Sequence, residues 1–200
     1  ASTSAQWQKL GMYYQAHGLD NFAIQAYEYA IALQPNSKAS YLLGITYANL
    51  GFYEKAIESV SSVTNYIPAL WQQGMWQLDL GNYSVAEKQF KKAIAKDPTT
   101  VAAIVGLARV YLSQNKFEES IRTLEDVINR GGKHQYLFYL LGKAHQQAGH
   151  AEIAKRYLGS TKSGQPKWDD PWIDDMRSHQ RGFAAELSVA VRKIDDGNLQ

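Results

Sequence analysis

The sequence predicts an all-α chain built from repeated helical hairpins, and three observations carry that prediction. A ladder of Trp7, Leu10-Gly11, Tyr14, Ala23, Tyr27, Ala30 and Pro35 returns, in degenerate form, four more times. Its period is about 34 residues, the length of one helix–turn–helix unit. Within each unit the apolar residues fall at helical spacing, and no stretch alternates as a strand would.

The first unit shows why each position is held. Trp7, Leu10, Gly11 and Tyr14 recur at i, i+3, i+4 and i+7, one face of a helix. Gly11 has no Cβ, so a neighbouring helix can approach its backbone. Gly18 predicts the left-handed stop of that helix, and Asn21 or Asp20 the cap of the next. Ala23, Tyr27 and Ala30 form the inner face of the second helix. Pro35 ends the unit, since it cannot extend a helix. One hairpin cannot bury its apolar face alone and must stack on another.

The later units follow in order. The second has Ser40, Leu43-Gly44, Tyr47, Gly51, Ala56, Val60, Val63 and Pro68, and its second helix is short, ending in the β-branched run Val60–Ile67. The third has Leu70, Gly74, Gly81, Ala86, Phe90, Ala93 and Pro98; the Pro68–Pro98 interval is below the full period, which predicts a compressed joint. The fourth has Ile104, Leu107-Ala108, Tyr111, Ser120, Leu124, Val127 and Gly132. The fifth has Phe138, Leu141-Gly142, His145, Gly149, Ala154, Leu158 and Pro166. From Trp168 the ladder stops. Asp170-Pro171 is a helix start, with Asp as cap and Pro at the first position, and Asp174 and Asp175 suit the positive end of the dipole. After Gly182, the residues Phe183, Leu187, Val191 and Ile194 make an apolar stripe. Residues 168–196 are expected to cap the array, with Trp168 and Trp172 packing back on the fifth unit, and residues 197–200 to fray.

Composition narrows the function classes. Hydrophobic residues make 45% and charged residues 20% of the chain, as in ordered proteins. Net charge is +2; residues 1–100 carry 7 basic and 7 acidic residues, and residues 101–200 carry 14 and 12. That balance speaks against a nucleic-acid partner. No apolar run is long enough to span a membrane. There is no cysteine, hence no disulfide and no thiolate chemistry. The chain opens Ala-Ser-Thr-Ser, without Met or an apolar signal core, as a processed protein or a fragment of a longer one would.

The five ladders resemble the tetratricopeptide repeat family over residues 4–167. The resemblance implies a right-handed α-α superhelix of five repeats, at about 4–36, 37–66, 67–100, 101–134 and 135–167, plus capping helices. The Asp-Asp-Pro-Trp segment looks like the tail that follows such repeats in some bacterial proteins, several of them exported, which favours an exported or periplasmic location over a cytoplasmic one. The family also implies a concave groove lined by the first helix of each unit. Its counterparts here are Gln8, Met12, Tyr41, Ile45, Asn49, Trp71, Met75, Val105, Arg109, Tyr139 and Lys143, with Asp79, Gln146 and Gln147 beside them. Aromatics give contact area at low entropic cost, Met adapts to irregular partners, and Arg109 and Lys143 suit a carboxylate. The alternative is that Trp71, Tyr41 and Met75 pack between helices or against the cap, and that Arg109 and Lys143 are solvated. Co-chaperones of this family grip a terminal carboxylate with Lys, Asn and Arg in the groove. Gln8, Met12, Ile45, Trp71 and Met75 replace that clamp here.

No reaction chemistry emerges. His145 and His150 are five apart, which on one helix separates their faces, and no pair of histidines has metal-ligand spacing. Ser59–Ser62 lacks a base and an oxyanion loop. Asp169, Asp170, Asp174 and Asp175 lack the Gly and closing Glu of a calcium loop, and Gly131-Gly132-Lys133 reads as a turn. The expected function is a non-catalytic scaffold, without cofactor or metal, holding a protein or peptide partner in the groove. The alternatives are a homo-oligomer built through the tail or convex face, and a small-molecule or lipid site lined by Met12, Met75 and the aromatics.

Overall fold

The computed structural model describes residues 3–159, 164 and 167–180. Pro166 and the stripe from Gly182 to Ile194, like the end at 197–200, lie outside the described residues. In chain order the helices are α1 (Ser4–Ala16), α2 (Asp20–Leu33), α3 (Ser37–Asn49), α4 (Tyr53–Val60), α5 (Ile67–Asp79), α6 (Tyr83–Lys96), α7 (Val101–Ser113), α8 (Phe117–Asn129), α9 (Gln135–Gln147) and α10 (Ala151–Leu158). A further helix, α11, covers 171–180. No strand occurs among the described residues. Two compact units share the chain: Ala1–Val63 with Asp170–Gln200, and Thr64–Asp169.

In the first unit, α1 pairs with α2 and α3 with α4, and α1 and α3 lie side by side. Thr3 opens α1 with a capping box: its hydroxyl accepts from Gln6 N at 3.3 Å, and Gln6 Oε1 accepts from Thr3 N at 2.7 Å. Asn36 caps α3 by accepting from Ala39 N at 3.0 Å. The same Asn36 donates to Ser4 Oγ, which donates in turn to Ala30 O at 2.7 Å, so one polar chain ties α1, α2 and α3. Gly11 faces the Tyr27 ring, where an added Cβ would come within 2.6 Å. Tyr27 is fully buried and donates to Gln15 Oε1 at 2.7 Å; burial pushes its phenol far above the ordinary value. Asp20 and Asn21 do not cap α2. Leu19 holds the cap position without a side-chain bond, and Asp20 is already the first helical residue, where it serves the dipole.

In the second unit, α5–α6, α7–α8 and α9–α10 form three hairpins, with α5 beside α7 and α7 beside α9. Phe90, 0% exposed, is the centre of the first two: an added Cβ would come within 2.6 Å of its ring at Gly74 and 2.2 Å at Gly106. Ser120, buried on α8, donates to Ala108 O at 3.0 Å across the second hairpin. The expected short helix is α4, of 8 residues. Pro68 does not close the second hairpin; it lies in the first turn of α5, where its missing N–H costs no bond. Four of the five hairpin turns use Gly at positive φ, while the turn between α7 and α8 uses Asn115 at φ 59, the residue type that best tolerates that region.

Candidate functional site: the inner faces of the first helices

In the first unit the predicted groove residues divide by burial. Gln8 is half-buried and donates to Met12 Sδ at 3.6 Å, while Met12 itself is 1% exposed. On α3, Lys38, Tyr41 and Ile45 lie on one face, and Asn49 ends the helix exposed. Tyr41 is 0% exposed because residues from the C-terminal segment cover it. Its ring meets Trp172 edge-on at 5.7 Å, and its hydroxyl donates to Asp170 Oδ2. Asp170 also caps α11 through Oδ1, which accepts from Trp172 N at 3.2 Å and Ile173 N at 3.1 Å. Lys38, one turn before Tyr41, pairs with Asp175. Trp172 was expected on the fifth hairpin; its segment belongs with the first unit, and its ring sits against the second hairpin. Trp168, on the other hand, packs on the clusters of the second unit and faces His134 at 6.3 Å.

In the second unit, Trp71 lies in a cluster with Leu70, Leu78, Phe90 and Leu107, and Val105 in one with Ile104, Leu124, Leu137 and Leu141. Both face the core in this arrangement, so their contribution is packing. Met75, Arg109, Tyr139 and Lys143 are half-buried. Arg109 Nη1 donates to Met75 Sδ at 3.4 Å, and its Nη2 lies 3.9 Å from Asp79 Oδ1. Lys143 Nζ donates to Gln146 Oε1 at 3.3 Å. Arg109, Tyr139, Leu140, Lys143 and Gln147 line an open cavity of about 290 Å³. Two cations and a tyrosine lining one cavity suit a carboxylate on an extended or helical segment.

The histidines correct a spacing argument. A separation of five would part them on one helix, but α9 ends at Gln147 and Gly149 turns the chain at φ 84. His150 therefore folds back, and the two Nδ1 atoms lie 3.1 Å apart. Burial, then the neighbouring His150, holds the His145 imidazole below its ordinary value. Its ring stacks on Tyr157 at 6.0 Å, beside a larger cavity of about 690 Å³. Among the described residues no group of three His, Asp or Glu is placed to hold a metal ion. No described helix is long and apolar enough to cross a membrane.

Sequence reasoning found Asp170 as a helix cap but missed its bond to Tyr41, and it missed Lys38 altogether. The acidic residues were readable as a helix start. Their seat, 129 and 137 residues upstream, has no local signal.

Comparison with known proteins places this architecture. Tetratricopeptide repeat profiles match residues 11–66 and 77–144. No curated protein matches the chain in sequence. Among solved structures, MamA 41-end from Desulfovibrio magneticus RS-1 is similar with a TM-score of 0.73 at 17% identity, covering 80% of this chain and 93% of that one. A tetratricopeptide repeat protein from Parabacteroides merdae gives 0.69 at 20% identity, covering 96% and 77%. The APC/C hetero-tetramer Cut9-Hcn1 gives 0.64 at 16%, covering 78% and 32%. With Gly11 against Tyr27, hairpin following hairpin, and two profiles spanning most of the array, the chain is an all-α solenoid that belongs to the tetratricopeptide repeat family.

Proposed function

We propose that the chain is a non-catalytic scaffold that holds a segment of a partner protein along α7 and α9 of the second unit. The observation that supports this is the half-buried row Met75, Arg109, Tyr139 and Lys143, with a cavity of about 290 Å³ beside its C-terminal end. Fold alone does not set function; what supports this reading is that the row offers two cations and an aromatic ring where neighbouring first helices meet. A partner segment with a carboxylate near an apolar residue suits it. A solved relative in fold, Cut9-Hcn1, is itself a hetero-tetramer. The test is affinity capture from the native host with wild type and an Arg109→Glu, Tyr139→Ala double variant, read by mass spectrometry. The expected result is loss of one specific protein with unchanged helical circular dichroism. Equal capture by both would remove the row from consideration.

A second reading is self-association through α2. Phe22, Tyr29 and Leu33 are each more than half exposed along it, at 55%, 57% and 55%. Light scattering over a concentration series separates the two readings, since a strict monomer at all concentrations dismisses the second.

A further inference from the structure

We propose that residues 170–176 are an intramolecular ligand of the first unit: a detachable latch over α3 that a partner peptide of the same chemistry displaces. The latch rests on the reading of first-helix faces as binding surfaces, and it names the regulation and the partner chemistry for the first of them.

The segment is read by two residues three apart on α3. Tyr41 takes the Asp170 carboxylate through its hydroxyl and the Trp172 ring through its own. Lys38 takes the Asp175 carboxylate. Ile173 and Met176, buried and three apart, give the segment an apolar underside, the i and i+3 anchors of a helix laid in a groove. The recognised pattern is therefore Asp-Pro-Trp at a helix start, an apolar residue next, and a second carboxylate five residues after the first. Asp170 does two jobs at once, capping its own helix and receiving Tyr41, so the ligand must arrive helical.

The outermost contact of the segment is of a kind that releases readily. The ion pair is open to solvent, with Lys38 21% and Asp175 50% exposed on the side chain. The ring pair is edge-on, and the Tyr41 hydroxyl bonds the Asp170 carboxylate. The tether adds to the buried Ile173 and Met176 by holding the segment at high effective concentration. Elements of this kind, a helix docked on a hairpin pair far from it in sequence, open ahead of the global fold.

The experiment uses the full chain and a fluorescent synthetic peptide of residues 168–180. On the wild type, hydrogen exchange should show the 171–180 amides exchanging at least ~10-fold faster than those of α2. The peptide should bind an Asp175→Lys chain at least ~10-fold more tightly than the wild-type chain. Adding Lys38→Glu to that chain rebuilds the ion pair in cis with reversed signs, and should return peptide affinity to the wild-type level. A peptide carrying Trp172→Ala should not bind. Protection of the 171–180 amides equal to that of α2 would make the segment a fixed part of the fold and overturn the latch. So would equal peptide uptake by the Asp175→Lys and wild-type chains. Concentration-dependent dimers of the wild type that the peptide dissolves would assign the segment to a second copy, and overturn the intramolecular assignment. Failure on any of these counts leaves the second unit's row untouched, because that row is scored on Arg109 and Tyr139.

Discussion

At the scale of single residues, Phe90 sets the spacing of two hairpins, because Gly74 and Gly106 both leave their Cβ space to its ring. Gly106→Ala puts a methyl carbon 2.2 Å from that ring, so ring or backbone must move. The expected cost is about 1–3 kcal/mol, read as a lower urea midpoint. Tyr27→Phe should cost about 1 kcal/mol, because Gln15 Oε1 then loses its buried donor. The His145 imidazole gives a pH dependence. Its folded-state value is depressed by burial first and by His150 second, while Glu125 and Glu118 oppose the shift. The unfolded chain therefore binds the proton more readily. Stability is fully present above the ordinary imidazole value of 6.5 and falls as pH drops below it. Urea midpoints at pH 7.5 and 5.5 should differ in that sense, and the difference should shrink in His145→Gln. Gly11 was legible in the sequence because the ladder repeats it. Gly106 was not, since the Leu-Gly pair of the ladder aligns with Leu107-Ala108 one step on. The meeting of His145 and His150 was hidden because a helical spacing rule was applied across a turn.

At the scale of elements, Asp170 was readable as a cap, while Asp20 and Asn21 were misread as one. Thr3 and Asn36, not singled out in the sequence, also cap, and each is a residue type that does so by its own short side chain. Thr3→Ala should cost about 1 kcal/mol and speed amide exchange in the first turn of α1. The brevity of α4 was legible in the β-branched run after it, and Pro68 in α5 was misplaced by a residue or two because Pro serves equally before and within a first turn. The start of α11 follows from Asp170-Pro171. Its seat on α3 does not, because periodicity encodes neighbours one unit away and says nothing of a return across the chain. Burial of Tyr41 and Trp71 was one of two readings the sequence left open, and that of Val105 was not foreseen: a groove position and a core position share the same apolar residue types, and only packing tells them apart.

At the scale of the molecule, a repeat array is stabilised hairpin by hairpin through its nearest contacts. The chain divides at Val63 and again at Asp169, so each unit should respond to damage in its own core. Phe90→Ala, expected to cost about 3–5 kcal/mol, should strip exchange protection from Thr64–Asp169 before it reaches Ala1–Val63.

The bond from Lys38 to Asp175 spans 137 residues, and that span has a consequence for synthesis. A ribosome needs roughly ten seconds to add so many residues. During that interval the nascent amino-terminal hairpins exist without the Asp170 and Trp172 contacts to Tyr41, in an environment crowded with other chains. Whatever first meets that tyrosine in the cell does so before the protein has finished being made.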